Sequence, residues 1–188
     1  MAFIVIYDAC VLYPPALRDF LFRLTRCGVV RARWSEPILE ETIAAIVRDR
    51  PDLDVQRLAR TKELMAKVAM DCLVTGFESL IPSLSLPDPN DRHVLAAAIR
   101  AQAQTIVTAN LRDFPAESLV PFDVEARHPD DFVLDQIDLA LARVVQVVVE
   151  QAAALRKPTR TLEELLGTLA QCGLPQSMAK IRMLRGAG

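Results

Sequence analysis

Two short apolar runs do most to limit what this chain can fold into. Phe3-Ile-Val-Ile-Tyr7 and Thr105-Ile-Val-Thr108 are continuous rather than alternating. A strand with one wet face alternates in polarity. A strand without alternation is buried on both faces, as in a parallel sheet covered by helices. Parallel strands need long crossovers, and helical patterns fill the intervening sequence. After Pro14-Pro15, residues Leu17, Phe20, Leu21 and Leu24 recur at helical spacing, and Gly28 stops the segment. Residues 29–34 read as a short strand or an extended lead-in. Ser35 then caps a helix with Ile38, Leu39, Thr42, Ile43 and Ile46 on its inner stripe. Asp54 caps a long helix that carries Leu58, Met65, Val68 and Leu73 and ends at Gly76. Phe77 to Leu86 reads as loop. A short strand is expected near Leu119 to Val124, with Pro121 placing it at a sheet edge.

Acids stand where these elements change over. Asp8 directly follows the first run, at the sheet edge where open α/β folds bind ligands. In Leu86-Pro-Asp-Pro-Asn-Asp-Arg-His-Val-Leu-Ala-Ala-Ala-Ile99, Pro89 suits the first helical position. Asp88 is then the N-cap, and Asp91 lies two residues into a helix that runs to about Ala103. Val94, Leu95, Ala98 and Ile99 anchor that helix in the core. The second run leads into Ala109-Asn110-Leu111-Arg112-Asp113-Phe114-Pro115, again with a polar residue and an acid just past a strand end. Glu40 and Glu41 flank their helix's apolar stripe at similar angles, and periodicity does not choose between them.

Each acid has an ordinary explanation taken singly. First-turn acids oppose the helix dipole, Asn and Asp make turns, and helical Glu is usually solvated. Taken together they carry a cost, because strand–helix alternation brings strand ends to one edge. Two unit charges about 6 Å apart repel by about 3 kcal/mol at an effective dielectric near 20. A divalent cation removes that conflict. Carboxylate oxygens select a hard ion, Mg²⁺ or Mn²⁺, over zinc. Such an ion activates water and stabilises charge on a phosphodiester.

Residues 129–188 read as an all-helical C-terminal extension to an α/β unit of residues 1–128. Phe132 to Leu155 is one apolar helix with Leu134, Ile137, Leu141, Val144, Val145 and Val148 facing inward. Arg156 to Arg160 is a basic linker. Thr161 with Glu164 forms a capping box for a second helix, closed by Gly173 and Pro175, and Gln176 to Leu184 is a third. With no acid cluster here, no chemistry is placed in this part.

The bulk properties narrow the class. The chain of 188 residues suffices for one well-buried domain with an appendage. No apolar run spans a bilayer and the start carries no basic leader, so the expected location is the cytoplasm, away from membranes. Cys10, Cys27, Cys72 and Cys172 are scattered without a Cys-x-x-Cys pair. They read as free thiols, and with only His93 and His128 beside them they do not make a zinc site. Residues 68–142 hold 4 Lys/Arg against 12 Asp/Glu, which suits a polyanion only if cations neutralise the acids.

In this order, Asp8 after an apolar strand, Ile38-Leu39-Glu40-Glu41, Asp91-Arg-His-Val-Leu-Ala-Ala-Ala and Thr108-Ala-Asn-Leu-Arg-Asp113-Phe resemble the PIN domain, as found in the VapC-type toxins of type II toxin–antitoxin systems. The resemblance spans roughly residues 1–125. It implies a parallel sheet between helices and a Mg²⁺- or Mn²⁺-dependent ribonuclease. It makes Asp8, Glu41, Asp91 and Asp113 the acidic, metal-holding quartet, preferring Glu41 because the family's helix reads apolar-apolar-x-Glu. It gives Asn110 the role of a polar residue hydrogen-bonded within the site and leaves Asp88 as an extra acid, an outer-shell metal ligand. It further implies an RNA substrate, a cognate antitoxin and a homodimer, and the C-terminal helices resemble an extension found in a subset of these proteins. A housekeeping RNA-processing nuclease without antitoxin, and a non-catalytic binding module, are the other readings of the same motifs. A phosphatase with a covalent aspartate needs Asp-x-Asp, and Cys10 stands where the second Asp belongs.

Overall fold

The computed structural model describes residues 3–68, 71–155 and 160–186. Five strands form one parallel sheet in the order β3-β2-β1-β4-β5. β1 (Ile4–Tyr7) and β4 (Thr105–Val107) are the two apolar runs, and they lie side by side at its centre. Their buried Val5, Ile6, Tyr7, Ile106 and Val107 explain the absence of alternation. From β1 the chain winds outward through β2 (Arg31–Ser35) and β3 (Leu73–Val74). It then returns to place β4 and β5 (Glu125–Arg127) on the other side of β1. The winding therefore reverses between β1 and β4, which opens a crevice at their C-terminal ends.

Several helices form where spacing and caps predict. α1 (Ala9–Leu12) is a single turn off the end of β1. α2 (Pro15–Arg26) buries Leu17, Phe20, Leu21 and Leu24, and Gly28 past its end takes φ +74°, which a side chain would resist. Ser35 caps α3 (Glu36–Asp49) by accepting the Ile38 N–H, and Asp54 caps α4 (Val55–Ala66) by accepting the Gln56 N–H. α5 (Arg92–Ala101) buries every residue from His93 to Ala98. Its three central alanines let the helix lie close against the sheet.

Several expectations need correction. α4 stops at Ala66, and Leu73 lies in β3, where Trp34 N–H bonds the Cys72 carbonyl and satisfies the open edge of β2. Glu78–Ser83 is a 3-10 turn rather than loop. Pro89–Asp91 is likewise a 3-10 turn capped by Asp88, so α5 begins at Arg92, and Gln102 in the left-handed region ends it. The last strand is Glu125–Arg127, not Leu119 to Val124. The earlier segment forms α6 (Ala116–Leu119) and a 3-10 turn containing Pro121, with Leu119 and Val124 buried.

α7 (Pro129–Ala154) leads the helical part. It breaks at Ala140, whose φ/ψ of −149°/44° leave the helical region. That break shifts the helical phase, so Leu141 is 39% exposed although its spacing placed it inward, while Val144, Val147 and Val148 are buried. Phe132 meets the edge of the buried Tyr7 ring, which itself stacks on Trp34. Gln151 donates to the Ala16 carbonyl at 2.9 Å, tying α7 to α2. Thr161 and Glu164 make the predicted capping box at the start of α8 (Leu162–Gln171). α9 (Pro175–Gly186) starts on the carboxylate of Asp130, which accepts the Gln176 and Ser177 N–H groups at 2.9 Å each. The basic linker lies mostly outside the described residues, which resume at Arg160.

Candidate active site

The crevice between β1 and β4 is lined from both strands. Asp8, directly after β1, is buried and its carboxylate is held from three directions. Its Oδ1 accepts the Ala9 N–H at 2.7 Å, so it also caps α1. Its Oδ2 accepts the Thr108 hydroxyl at 2.7 Å from the end of β4 and the Cys10 thiol at 3.1 Å. Hydrogen bonds to an ionised acceptor contribute about 1.5–3 kcal/mol each, enough to fix this group's orientation. Thr108 in turn accepts the Asn110 N–H at 3.0 Å. The Cys10 residue is exposed, but its sulfur packs between Asp8 and Thr108, and burial together with the Asp8 charge pushes the thiol up to about 12. It acts there as a neutral donor, not a nucleophile.

Asp91 sits at the junction of the 3-10 turn and α5 and makes no capping bond of its own. Burial pushes its carboxyl up to about 6, assisted by the charges of Asp8, Asp88, Asp113 and Glu41. The charges that act on Asp91 come from Asp8 just after β1, Glu41 on α3, Asp88 in the turn before α5 and Asp113 in the turn after β4. Asp88 spends one oxygen on the Asn90 N–H at 2.8 Å. Asp113 is 18% exposed at its side chain and has the Arg112 guanidinium 3.8 Å away, but that cation is 85% exposed and belongs to the rim.

The two candidate glutamates part company. Glu40 lies 3.5 Å from Lys62 on α4, whereas Glu41 faces α5 and meets His93 Nε2 at 2.8 Å. Asn110 is exposed, and its side chain makes no hydrogen bond among the described residues. The hydroxyl that bonds within the site belongs to Thr108. Thr108, Cys10 and His93 carried no role in the sequence reading. Thr108 was legible in part, as a polar residue closing an apolar run at the same level as Asp8. His93 gave no signal beyond being a histidine in an apolar helix.

The donor set is all carboxylate oxygen. Among the described residues, no three His, Cys, Asp or Glu side chains stand close enough to enclose an ion unaided. Carboxylate oxygens are hard donors, of the kind that suit Mg²⁺ or Mn²⁺ rather than zinc.

A family model described as PIN domain matches residues 4–112, more than half of the chain. The chain belongs to the PIN-domain family. A second family model, the VapC50 C-terminal domain, matches residues 129–183 of this PIN protein, beginning where α7 begins. Over 113 residues the chain is 42% identical to the protein described as "Putative ribonuclease VapC50" from Mycobacterium tuberculosis (strain ATCC 25618 / H37Rv). That alignment covers 60% of this chain and 66% of the relative, so the chain spans just under two thirds of the relative's length. No solved structure matches. The parallel sheet flanked by helices, followed by a helical C-terminal region, is the architecture of this PIN protein. Among the described residues, no helix is long and apolar enough to cross a membrane.

Proposed function

We propose that this PIN domain is a Mg²⁺- or Mn²⁺-dependent ribonuclease that hydrolyses RNA phosphodiester bonds. The single observation that carries the proposal is the gathering of Asp8, Asp113, Glu41 and Asp88 around a half-buried Asp91 at the sheet's switch point. Asp8, Asp91, Asp113 and Glu41 would hold the ion directly or through its own waters, with Asp88 outside them. When bound, a divalent ion supplies a lowered pKa for water and counter-charge for the phosphodiester. The chain's own contribution is placement. Thr108, Cys10 and the Ala9 N–H fix the Asp8 carboxylate before substrate arrives. Asp91 and Asp113 offer further anionic oxygens, and Arg112, 85% exposed beside Asp113, would meet the RNA backbone at the rim. Asn110, exposed beside them, is placed to touch substrate. In-line hydrolysis leaves a 5′-phosphate and a 3′-hydroxyl, with no side-chain nucleophile.

The similarity to VapC50 supports a further reading, in which this nuclease is the toxin of a pair with a cognate antitoxin and works in the cytoplasm as a homodimer. All four cysteines are free, in keeping with a reducing compartment. In this reading residues 1–128 are the nuclease unit and 129–188 a helical extension. The test is incubation with total RNA and Mn²⁺ beside an Asp91→Asn control, with mapping of the cut ends. Equal cleavage by the control would reject the assignment.

A further inference from the structure

We infer that His93 is a positioning residue for Glu41: buried in a single tautomer, it gives its one ring proton to the Glu41 carboxylate and holds that acid toward Asp91. The inference rests on the metal-dependent reading above. Among the acids of the site, Asp8 is held by three donors and Asp88 by a backbone N–H. Glu41 lies on α3, is 45% exposed at its side chain, and has His93 as its one hydrogen-bond partner among the described residues. Without that partner a glutamate has three free side-chain torsions and open water to turn toward.

The histidine is built for one orientation. It stands at the start of the buried stretch of α5, 9% exposed itself, next to the fully buried Val94 and Leu95. Nε2 lies 2.8 Å from Glu41 Oε1, while Nδ1 is buried with no hydrogen-bond partner among the described residues. A proton on Nδ1 would be a buried donor with nothing to receive it, and would leave a lone pair facing a carboxylate. The proton therefore sits on Nε2, and the bond to Glu41 fixes both groups. Histidine–carboxylate contacts of this kind tune metal sites from outside the ligand set. Here the contact also bridges helices, since His93 is two residues from Asp91 and Glu41 comes from α3.

Three measurements decide it. Ring ¹⁵N NMR of the metal-free protein reads the tautomer, calorimetric titration with Mn²⁺ reads affinity, and thermal melting reads packing. His93→Phe keeps a ring but no donor, and His93→Gln keeps a donor near the position of Nε2. The expected result is an Nε2–H tautomer in wild type. Mn²⁺ affinity in His93→Gln should stay within about threefold of wild type, and His93→Phe should bind about tenfold or more weakly, with a melting temperature no lower than that of His93→Gln. A proton on Nδ1, or His93→Phe binding Mn²⁺ as wild type does, overturns the role while leaving the metal-dependent reading intact. Equal loss of affinity and of melting temperature in both variants also overturns it, because packing alone would explain that pattern. Wild type that takes up no Mn²⁺ overturns the metal-dependent reading, and this role with it.

Discussion

Asp91 and Asp130 are both acids at the start of helices, and the fold treats them in opposite ways. Asp130 is buried and fully occupied: it receives two N–H groups from the start of α9, and its own carbonyl accepts the Ser177 hydroxyl at 3.0 Å. Asp91 makes no capping bond, and burial, assisted by the charges of Asp8, Asp88, Asp113 and Glu41, pushes its carboxyl up to about 6. Both positions carry an Asp in a first turn, which sequence rules read alike. What separates them is the company each keeps. An acid whose lone pairs are taken by N–H groups is holding a fold together. A half-buried acid set among acids, its pKa raised by burial and like charge, is a candidate functional group.

The sharpest way to break this contrast is to remove each charge and ask what is lost. Asp91→Asn should lower RNA cleavage on the order of 10²–10³-fold, the size of losing one preorganised electrostatic contact, in a gel assay with Mn²⁺. Asp130→Ala should leave cleavage per folded molecule unchanged. It strands the buried Ser177 N–H and the part-buried Gln176 N–H and should cost about 3 kcal/mol, seen as a fall in melting temperature of about 6–12 °C. If Asp130→Ala abolishes cleavage while folded, the two acids are not of different kinds.

Thr108→Val tests whether the site's order comes from its hydroxyl. It keeps the shape but removes the donor to Asp8, and Mn²⁺ affinity should drop about tenfold by calorimetry. Asn110→Ala, at a position whose side chain makes no hydrogen bond, should leave Mn²⁺ affinity unchanged and act only on cleavage.

The smallest effect is on stability without metal. Because the folded-state pKa of Asp91 lies above its ordinary value of 3.8, the folded protein holds that proton more tightly than the unfolded chain does. Its contribution is most favourable below about pH 4 and is lost as pH rises through 6. Asp91→Asn removes the penalty. In EDTA at pH 7 it should stabilise the protein by about 1 kcal/mol, a value reduced for the group's partial exposure. The gain should disappear at pH 4, as read by urea unfolding.

Much of this was legible in the chain. The runs at Ile4–Tyr7 and Thr105–Val107 became neighbouring central strands because burial on both faces leaves no alternative pattern. Ser35, Asp54 and Thr161 act as caps because capping is local. What sequence did not show depends on partners distant along the chain. Leu73–Val74 is a strand because β2 offers it an edge, and Glu125–Arg127, polar by composition, is one because β4 does. The inward set of α7 changed phase because its helix breaks at Ala140. Within the site, periodicity left Glu40 and Glu41 equal, and only the packing of α3 against α4 and α5 sends one to Lys62 and the other to His93. The bond from Thr108 to Asp8 joins residues 100 positions apart.

The central claim is that the acids around Asp91 form a notch that is relieved by a divalent cation. Thermal unfolding of the wild type across a Mn²⁺ titration tests it directly, because a ligand that binds only the folded state raises stability by about 2.7 kcal/mol at a hundred times its Kd. The melting temperature should climb with Mn²⁺, return to its starting value in EDTA, and climb far less in Asp91→Asn. A wild-type melting temperature that is the same in millimolar Mn²⁺ and in EDTA would contradict it.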